Sequence, residues 1–448
     1  MAAEINCSGK EIRMGFRVCV FCAAVAATAG SVGATVVADW NVTLLNAVKA
    51  TSANPPRASR AMAMVHGAVY DAVNGINGPY QPYRVLTPAS GNANRTASAA
   101  AAAHRVLSSL FPTQQAAFDA QLAASLAQVP DGKAKQNGIA YGQFVADEML
   151  AWRATDHAND PPPPWPDGVN PGEWRRTPPA FADPLLPHWG SVTPFAMTSG
   201  DQFRPPAPPD VDSPEYTAAY NEVKEIGRVD SATRTPEQTD IAKMWAAGAG
   251  TVTPPGMWNQ VAQQLSADTG LGILGEARLF GLIGLAVADA AISCWDAKYA
   301  YNYWRPVTGI RLGDADGNPD TAGDAGWLPL IATPPFPSYT SGHSTFSAAS
   351  AKILEQFFGT DDLSFSVTAP EVGITRFFNS CSEAAEEAGQ SRIYGGIHWQ
   401  FDNGPAQIAG QGIGVHVYQN YMQVPGPGAA SLAVAVGFMA ARRNRRLG

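Results

Sequence analysis

The stretch SRAMAMVHGAVYDAVNGI, residues 59–76, decides the fold class of this 448-residue chain. Its apolar residues recur every three or four positions, which places them on one face of an α-helix. Two alanine-rich stretches, residues 96–111 and 113–129, continue the pattern with strong helix formers. Nowhere do we find the apolar–polar alternation that marks a strand. The sequence therefore predicts an all-α protein.

Helices are also predicted beyond residue 230. In TRTPEQTDIAKMWAAG, residues 233–248, Thr235 is the predicted N-cap, Pro236 the first helical residue and Gln238 the partner in a capping box. Apolar spacing predicts four more helices, over residues 274–304, 344–358, 371–389 and 398–422.

A proline-rich stretch separates the two helical regions. Residues 161–209 contain fifteen prolines, a density that excludes regular helix and central strand. Trp165, Trp174 and Trp189 lie within the stretch. Because these large side chains need burial, we expect an irregular wrap that packs on the protein rather than a loose linker.

The N-terminal segment predicts export. A basic start, an apolar run and small residues that end at Ala34 follow one another in MGFRVCVFCAAVAATAGSVGA, residues 14–34. A second candidate cleavage site with small residues follows at Ala38. This is the layout of a secretory signal peptide, so residues 1–38 are excluded from the predicted fold. The alternative is a buried N-terminal helix.

The C-terminal segment, residues 425–448, predicts sorting at a membrane. It joins a Pro/Gly turn, about a dozen apolar residues and four arginines. The apolar run is shorter than the roughly 20 residues that a spanning helix needs. The segment resembles the PEP-CTERM sorting signals of Gram-negative bacteria, although Gly426 stands where that family usually has glutamate. The resemblance implies a secreted, periplasmic or cell-surface protein with transient membrane association through its tail; a disordered basic tail is the alternative.

Charge and cysteine content exclude two classes of protein. The formal net charge is −8, and both terminal segments carry net positive charge, so the region between them is more acidic still. Nucleic-acid binding relies on cations that neutralise phosphates, and we do not expect it here. Of five cysteines, only Cys294 and Cys381 lie outside the signal segment, which excludes a disulfide scaffold and leaves room for one bridge at most.

Two cations share one predicted helix face in CWDAKYAYNYWRP, residues 294–306. Lys298 and Arg305 are seven positions, or two helical turns, apart, and Trp295 precedes Lys298 by three. The remaining aromatic residues of this stretch are Tyr299, Tyr301, Tyr303 and Trp304. A cationic face lined with aromatic rings in an acidic protein indicates an anion pocket.

The segment FPSYTSGHSTF, residues 336–346, predicts a second anion-binding element. A helix that begins near His343 leaves its first amides unpaired at the positive end of the helix dipole. The Ser341 hydroxyl and the Gly342 N–H can donate to an oxyanion, and His343 can supply or remove a proton beside it.

A third segment, SRIYGGIHWQFDN at residues 391–403, adds the cation of Arg392. The glycine pair before His398 allows a tight turn into another helix, and Asp402 lies four residues later on the same face. A carboxylate beside an imidazole selects its tautomer and leaves the other nitrogen free to bind or attack.

Together the three segments resemble the signature shared by vanadium-dependent haloperoxidases and type 2 phosphatidic-acid-type acid phosphatases: Lys-x6-Arg-Pro, Pro-Ser-Gly-His and Ser-Arg-x5-His-x3-Asp. The resemblance implies that the three cations bind the equatorial oxygens of a tetrahedral oxyanion and that Ser341 and Gly342 are its neutral donors. It implies that His343 is the acid–base residue and that His398 is either the axial ligand of vanadium or the nucleophile of a phosphatase.

Two features of the signature are incomplete. Thr340 stands where the signature has proline, which removes a backbone constraint but no ligand. Fungal members use an aspartate to support one arginine, and we assign no counterpart to it, so the partner of Arg392 is open.

The resemblance extends beyond the signature and implies a fold. DWNVTLLNAVKA (residues 39–50) and PPRASRAMAMVHGAVYDAVN (residues 55–74) look like the N-terminal part of bacterial haloperoxidase-like proteins. The family implies two four-helix bundles with the active site in the C-terminal half. We therefore divide the chain into an N-terminal bundle with the proline-rich wrap, residues 39–230, and a vanadate- or phosphate-binding domain, residues 231–424.

Vanadate and phosphate are both tetrahedral oxyanions, so the signature leaves the activity open. A peroxidase with a vanadate cofactor would oxidise halide with hydrogen peroxide to hypohalous acid, which then reacts with a small organic acceptor. A phosphatase would cleave a phosphate monoester through a phosphohistidine, and phosphate can occupy the same site in either enzyme.

The residues around the signature favour the peroxidase. Trp295 and Phe336 resemble aromatic residues beside the halide path of fungal chloroperoxidases; the alternative is that both rings only pack the helix. A third hypothesis is a non-catalytic surface protein that keeps the pocket as a relic. The complete set of cations opposes it, because burying them without an anion is costly.

Overall fold

Thirteen α-helices and one two-stranded sheet form the main regular structure of residues 35–425, the part of the chain that the computed structural model describes. The first helices are α1 (Val36–Ala50), α2 (Pro55–Asn74), α3 (Arg95–Leu110), α4 (Gln115–Ala127), α5 (Lys133–Arg153), α6 (Pro214–Ile226) and α7 (Pro236–Met244). The remaining helices are α8 (Thr253–Thr269), α9 (Ile273–Tyr301), α10 (Pro306–Arg311), α11 (Gly342–Phe358), α12 (Cys381–Tyr394) and α13 (Gln400–Asn420). The strands are β1 (Asp362–Ala369) and β2 (Ile374–Ser380). The predicted all-α class is confirmed.

The predicted terminal signals lie almost wholly outside the described residues. Of the two candidate cleavage sites of the signal peptide, Ala34 precedes α1 in the sequence, whereas Ala38 is buried inside α1. The sorting tail shares only residue 425 with the described part of the chain. Both terminal signals therefore stay predictions.

The longest helix, α9, runs through the core and ends in the candidate site. It packs against α2 from the first half of the chain and against α11 and α13 from the second. Its mean hydropathy of 1.6 over 18 residues would suit a membrane span, yet 94% of that window is buried inside the protein. A helix that is apolar on all sides is typical of a protein core, and its rigidity supports Lys298 near its C-terminal end.

Close packing of α11 on α13 brings two parts of the signature together. A Cβ atom at Gly410 of α13 would lie 2.4 Å from the carbonyl oxygen of Thr345 in α11. Only glycine allows the two helices to approach so closely here. The approach places the N-terminal ends of α11 and α13 side by side, and these ends carry His343 and Asp402.

Helix α7 begins at the predicted capping box. The Thr235 hydroxyl accepts from the Gln238 amide at 3.1 Å, and the Gln238 side chain accepts from the Thr235 amide at 2.9 Å. The prediction of this helix start is confirmed.

Residues 371–380 belong to a β-hairpin, so the helix predicted over residues 371–389 is wrong in its first half. Strands β1 and β2 pair antiparallel, with Phe365 opposite Phe378. Their rings lie 5.7 Å apart between centroids and join the core. The helix of this region, α12, begins only at Cys381.

The hairpin has sequence signals that the helical interpretation overlooked. Phe365, Val367 and Ala369 of β1 are buried, and the residues between them are more exposed, which is strand alternation. Pro370 and Gly373 then interrupt any helix; Gly373 has φ 68°, a conformation that favours glycine.

The proline-rich segment is tied to α9 by a buried carboxylate. Asp289 accepts hydrogen bonds from the backbone amides of three consecutive residues at 2.7–2.8 Å: Phe195, Ala196 and Met197. Trp174 and Trp189 of the same segment are almost completely buried. The carboxylate supplies the acceptors that an irregular backbone lacks, so the segment packs without regular structure.

Replacing Asp289 with asparagine is expected to lower the free energy of unfolding by about 2–3 kcal/mol. An amide accepts through one oxygen where the carboxylate uses two, so at least one buried N–H loses its partner. Urea denaturation measures the change. Asp131→Asn is the control, because the Asp131 side chain is 97% exposed; we expect a change within about 0.5 kcal/mol. Equal losses in both variants would contradict the anchoring role.

Candidate active site

Three segments bring the predicted site residues into one buried cluster. Lys298 lies in the last turn of α9, which ends at Tyr301, whereas Arg305 is the N-cap residue of α10. The prediction that these two cations share one helix face is therefore wrong, because the helix ends between them. Ser341 is the N-cap residue of α11. Arg392 lies in the last turn of α12, and His398 follows after a turn of three residues, 395–397. The cluster is assembled where helices end and begin, so it combines side chains with free main-chain groups.

Lys298 holds the segment that leads into α11. Its ammonium group donates to the carbonyl oxygens of Pro337 and Ser338, each at 2.9 Å, and to that of Thr340. An ammonium group has three protons, so all of them are engaged with the backbone. Burial lowers the pKa of Lys298 below that of an ordinary lysine. Lys298 therefore supplies both positive charge and the shape of the loop before Ser341.

Arg305 keeps one nitrogen free. Its Nε donates to the Phe336 carbonyl at 2.8 Å, and one terminal nitrogen donates to the Ile397 carbonyl at 2.7 Å and lies 3.0 Å from His398 Nε2. The other terminal nitrogen is buried and has no hydrogen-bond partner among residues 35–425. Burial lowers the pKa of Arg305 to about 10, so it stays charged at neutral pH.

Asp402 selects the tautomer of His398. Its Oδ2 lies 2.8 Å from His398 Nδ1 and also accepts from the Trp399 amide at 3.0 Å and the Ser338 hydroxyl. Because the carboxylate accepts, Nδ1 carries the proton and Nε2 keeps its lone pair. Burial, followed by the charge of Arg305, holds the pKa of His398 well below its usual value. The result is a neutral imidazole whose Nε2 faces the cations.

The α11 N-terminus contributes donors beside this imidazole. The Ser341 amide donates to the Asp402 carbonyl oxygen at 2.9 Å, which links the second and third segments. The Ser341 hydroxyl lies 2.8 Å from the Ser344 hydroxyl, which in turn contacts Asn403 at 2.7 Å. Gly342 is buried as the first residue of α11, where an amide has no partner within the helix.

The cluster carries an excess of buried positive charge. Lys298 and Arg305 are completely buried and Arg392 nearly so, and no carboxylate forms an ion pair with any of them within residues 35–425. Burial lowers the pKa of Arg392 to about 9. Arg392 Nε, like one nitrogen of Arg305, is buried without a partner. Unpaired cationic donors fit an oxyanion, which would supply the missing charge and acceptors.

Comparisons with known proteins agree on one family. Residues 278–426 match the family model described as the VCPO second helical-bundle domain. The vanadium chloroperoxidase of Curvularia inaequalis is 27% identical over 469 aligned positions, which cover 79% of this chain and 75% of that protein. The crystal structure of a bacterial vanadium-dependent iodoperoxidase superposes with a TM-score of 0.76 and 29% identity, covering 87% of this chain and 96% of that one. In both sequence and fold, this chain is similar to vanadium-dependent haloperoxidases.

The same fold recurs at lower sequence identity. An apo-type bacterial vanadium-dependent chloroperoxidase superposes with a TM-score of 0.64 and 16% identity, covering 80% of this chain and 92% of that one. The residues matched by the family model, 278–426, contain all the predicted site residues of this chain.

Two aromatic rings lie against the cations of the candidate site. The Trp295 and Phe336 rings are 5.0 Å apart between centroids. Lys298 Nζ lies 5.0 Å and Arg305 Cζ 4.8 Å from the centre of the Phe336 ring, within cation–π range. The Trp295 indole donates to the Leu185 carbonyl at 3.1 Å, so the proline-rich segment covers this side of the site. Both rings therefore contact site residues as well as the helix.

Trp245 is a site residue that the sequence did not reveal. Its carbonyl oxygen lies 2.8 Å from His343 Nε2 and 3.3 Å from a terminal nitrogen of Arg392. The hydrogen-bond partner of Arg392 within residues 35–425 is therefore a main-chain carbonyl. A carbonyl belongs to every residue, so no pattern in the sequence could have identified it.

The two cysteines outside the signal segment form no bridge. Cys294 and Cys381 are both free and buried. Cys294 Sγ donates to the Thr340 carbonyl at 3.4 Å, beside the loop that Lys298 holds. The bridge that the sequence allowed is absent from the described structure.

Proposed function

We propose that this chain oxidises a halide with hydrogen peroxide to hypohalous acid, using vanadate as cofactor. The observation that carries the proposal is the buried cluster of Lys298, Arg305 and Arg392, which has no ion-pair partner among residues 35–425 and meets the unprotonated Nε2 of His398. Similarity to two vanadium-dependent enzymes supports the choice of vanadate.

The residues present fit vanadate. Arg305 and Arg392 each keep a buried nitrogen that needs an acceptor, and His398 offers Nε2 as the ligand to the metal. Lys298 adds charge, and Ser341 and Gly342 add donors at the α11 N-terminus. Vanadate bound there supplies the activation of hydrogen peroxide towards a halide. Phosphate has the same shape and charge type, so we propose that it competes for this site.

His343 is proposed to move the proton. Its Nε2 donates to the Trp245 carbonyl, and its Nδ1 makes no hydrogen bond to residues 35–425, which leaves Nδ1 free to act as a base. Burial and the charge of Arg392 hold the pKa of His343 well below its usual value. The imidazole is therefore neutral at neutral pH and can accept a proton from incoming peroxide.

The aromatic rings favour a halide over a phosphate ester. Trp295 is 1% exposed, and together with Phe336 it packs apolar surface against the buried cations. Such a surface favours a weakly hydrated anion over a strongly hydrated phosphate ester. The two relatives are named for chloride and iodide oxidation, so they leave the halide undetermined. We propose a small organic acceptor for the hypohalous acid, and a secreted or cell-surface location from the predicted terminal signals.

Peroxide-dependent bromination by the purified chain tests the proposed function. After removal of phosphate, orthovanadate is titrated while bromination of a dye-like acceptor is followed, and p-nitrophenyl phosphate hydrolysis by the vanadate-free protein is measured in parallel. We expect bromination that saturates with vanadate and is inhibited by added phosphate. No bromination at any vanadate concentration, together with hydrolysis that vanadate inhibits, would make the protein a phosphatase.

A further inference from the structure

We propose that Trp245 is a positioning residue for His343 and Arg392, and that its indole holds its own main-chain carbonyl in place for them. Trp245 follows the last residue of α7 and is 1% exposed. One carbonyl oxygen serves both the proton-transfer residue and a cation of the oxyanion pocket. The inference rests on the proposed function only in treating the site as an oxyanion pocket.

The carbonyl needs an anchor because the chain beyond it is only partly buried. Helix α7 has nine residues, and the following residues Ala246–Gly250 are half-buried or exposed. So short a helix is marginal without tertiary contacts. The orientation of the Trp245 carbonyl must therefore be set by the Trp245 side chain and its neighbours.

The indole is fixed by a chain of contacts that reaches the β-hairpin. Trp245 Nε1 donates to Glu387 Oε1 at 3.1 Å. The other oxygen of Glu387 accepts from Arg376 Nε of β2 at 2.8 Å. The Glu387 side chain is only 13% exposed, so this pair is largely shielded from water. Phe378 of β2 adds a ring contact to the indole, with centroids 6.4 Å apart.

Both polar contacts of Trp245 end on the same helix. The indole reaches Glu387 and the carbonyl reaches Arg392, five residues further along α12. Two contacts to one rigid helix define both the position and the orientation of the residue between them. The hairpin thus supports the candidate site, because Arg376 of β2 holds Glu387 of α12, which in turn holds the indole.

A carbonyl has an electrostatic advantage over an aspartate as the partner of Arg392. A carboxylate would neutralise the guanidinium, whereas a carbonyl orients it and leaves its full charge for the bound oxyanion. The same carbonyl accepts the proton of His343 Nε2 and so keeps His343 Nδ1 unprotonated. The Trp245 carbonyl thus orients the guanidinium of Arg392 and selects the tautomer of His343.

Trp245→Phe tests the proposal, since it keeps the ring and the carbonyl and removes only the indole N–H. We expect phosphate to bind the vanadate-free full chain about fivefold more weakly by calorimetry, which corresponds to one net hydrogen bond. We also expect the ¹⁵N signals of the His343 ring to show loss of the single Nε2–H tautomer. Glu387→Gln keeps an acceptor for the indole and is expected to retain most of the affinity.

Trp258→Phe is the matched control. Trp258 is also 1% exposed, donates through Nε1 to the Ser347 hydroxyl at 2.9 Å and packs on Phe365 of the same hairpin. It should lose comparable stability and keep wild-type phosphate affinity. Unchanged affinity and His343 signals in Trp245→Phe, or equal loss in both tryptophan variants, would overturn the proposal. A wild-type protein that binds phosphate but oxidises no halide would refute the proposed function alone.

Discussion

A His398→Ala protein is expected to lose all detectable vanadate-dependent halide oxidation. The Nε2 lone pair of His398 is held towards Arg305 by the Asp402 contact at Nδ1, and alanine removes this ligand altogether. Removing a group that only hydrogen-bonds a metal ligand typically lowers metal affinity about 10- to 100-fold. We therefore expect vanadate affinity to fall by more than about 100-fold, measured by reconstitution of the phosphate-free protein.

His416→Ala is the control for this variant. His416 lies on the same helix, α13, where its Nε2 contacts the Ala196 carbonyl at 3.2 Å. It touches none of the proposed ligands, so bromination should stay near the wild-type rate. Phosphate binding by His398→Ala should fall much less than vanadate binding, because the three cations remain. Saturable bromination in His398→Ala would contradict its role as the ligand.

Asp402→Asn is expected to lower the rate of halide oxidation by about 10³- to 10⁴-fold without loss of the fold. The amide nitrogen of asparagine can donate to His398 Nδ1, which moves the imidazole proton to Nε2 and removes the ligand lone pair. The corresponding change in a serine-protease triad costs about 10⁴ through the wrong tautomer. The measurement is the bromination rate at saturating peroxide and halide, with circular dichroism to verify folding.

Phosphate affinity separates this effect from simple disruption of the site. Asp402 is completely buried, and it is the carboxylate that contacts the cation-rich cluster in the described structure. Replacing it with a neutral amide leaves the cluster more positive, so phosphate should bind at least as tightly as in the wild type. A variant that keeps more than about a tenth of the wild-type rate would show that the His398 tautomer does not limit the reaction.

Sequence spacing predicted most of the helices, and the three short segments of the signature predicted which residues meet in the candidate site. Lys298 and Arg305 were expected on one helix face, but α9 ends at Tyr301 and Arg305 caps α10, so the turn between two helices brings them together. The spacing of His398 and Asp402 predicted their contact, which joins Nδ1 and Oδ2 at 2.8 Å. Both pairs act within a short stretch of chain, where covalent geometry limits the arrangements. The capping box at Thr235 was predictable for the same reason.

Only the tertiary structure decided which main-chain groups complete the site. The carbonyls that hold Lys298 lie about 40 residues from it in sequence, and the carbonyl of Trp245 is 147 residues from Arg392. The amides that bind Asp289 are likewise more than 90 residues away. Every residue carries the same amide and carbonyl, so side-chain patterns cannot reveal which ones meet. The hairpin at β1 and β2 had local signals in the sequence, but the pairing that sets Phe365 opposite Phe378 in one core is a contact between separate strands, which only the tertiary structure decides.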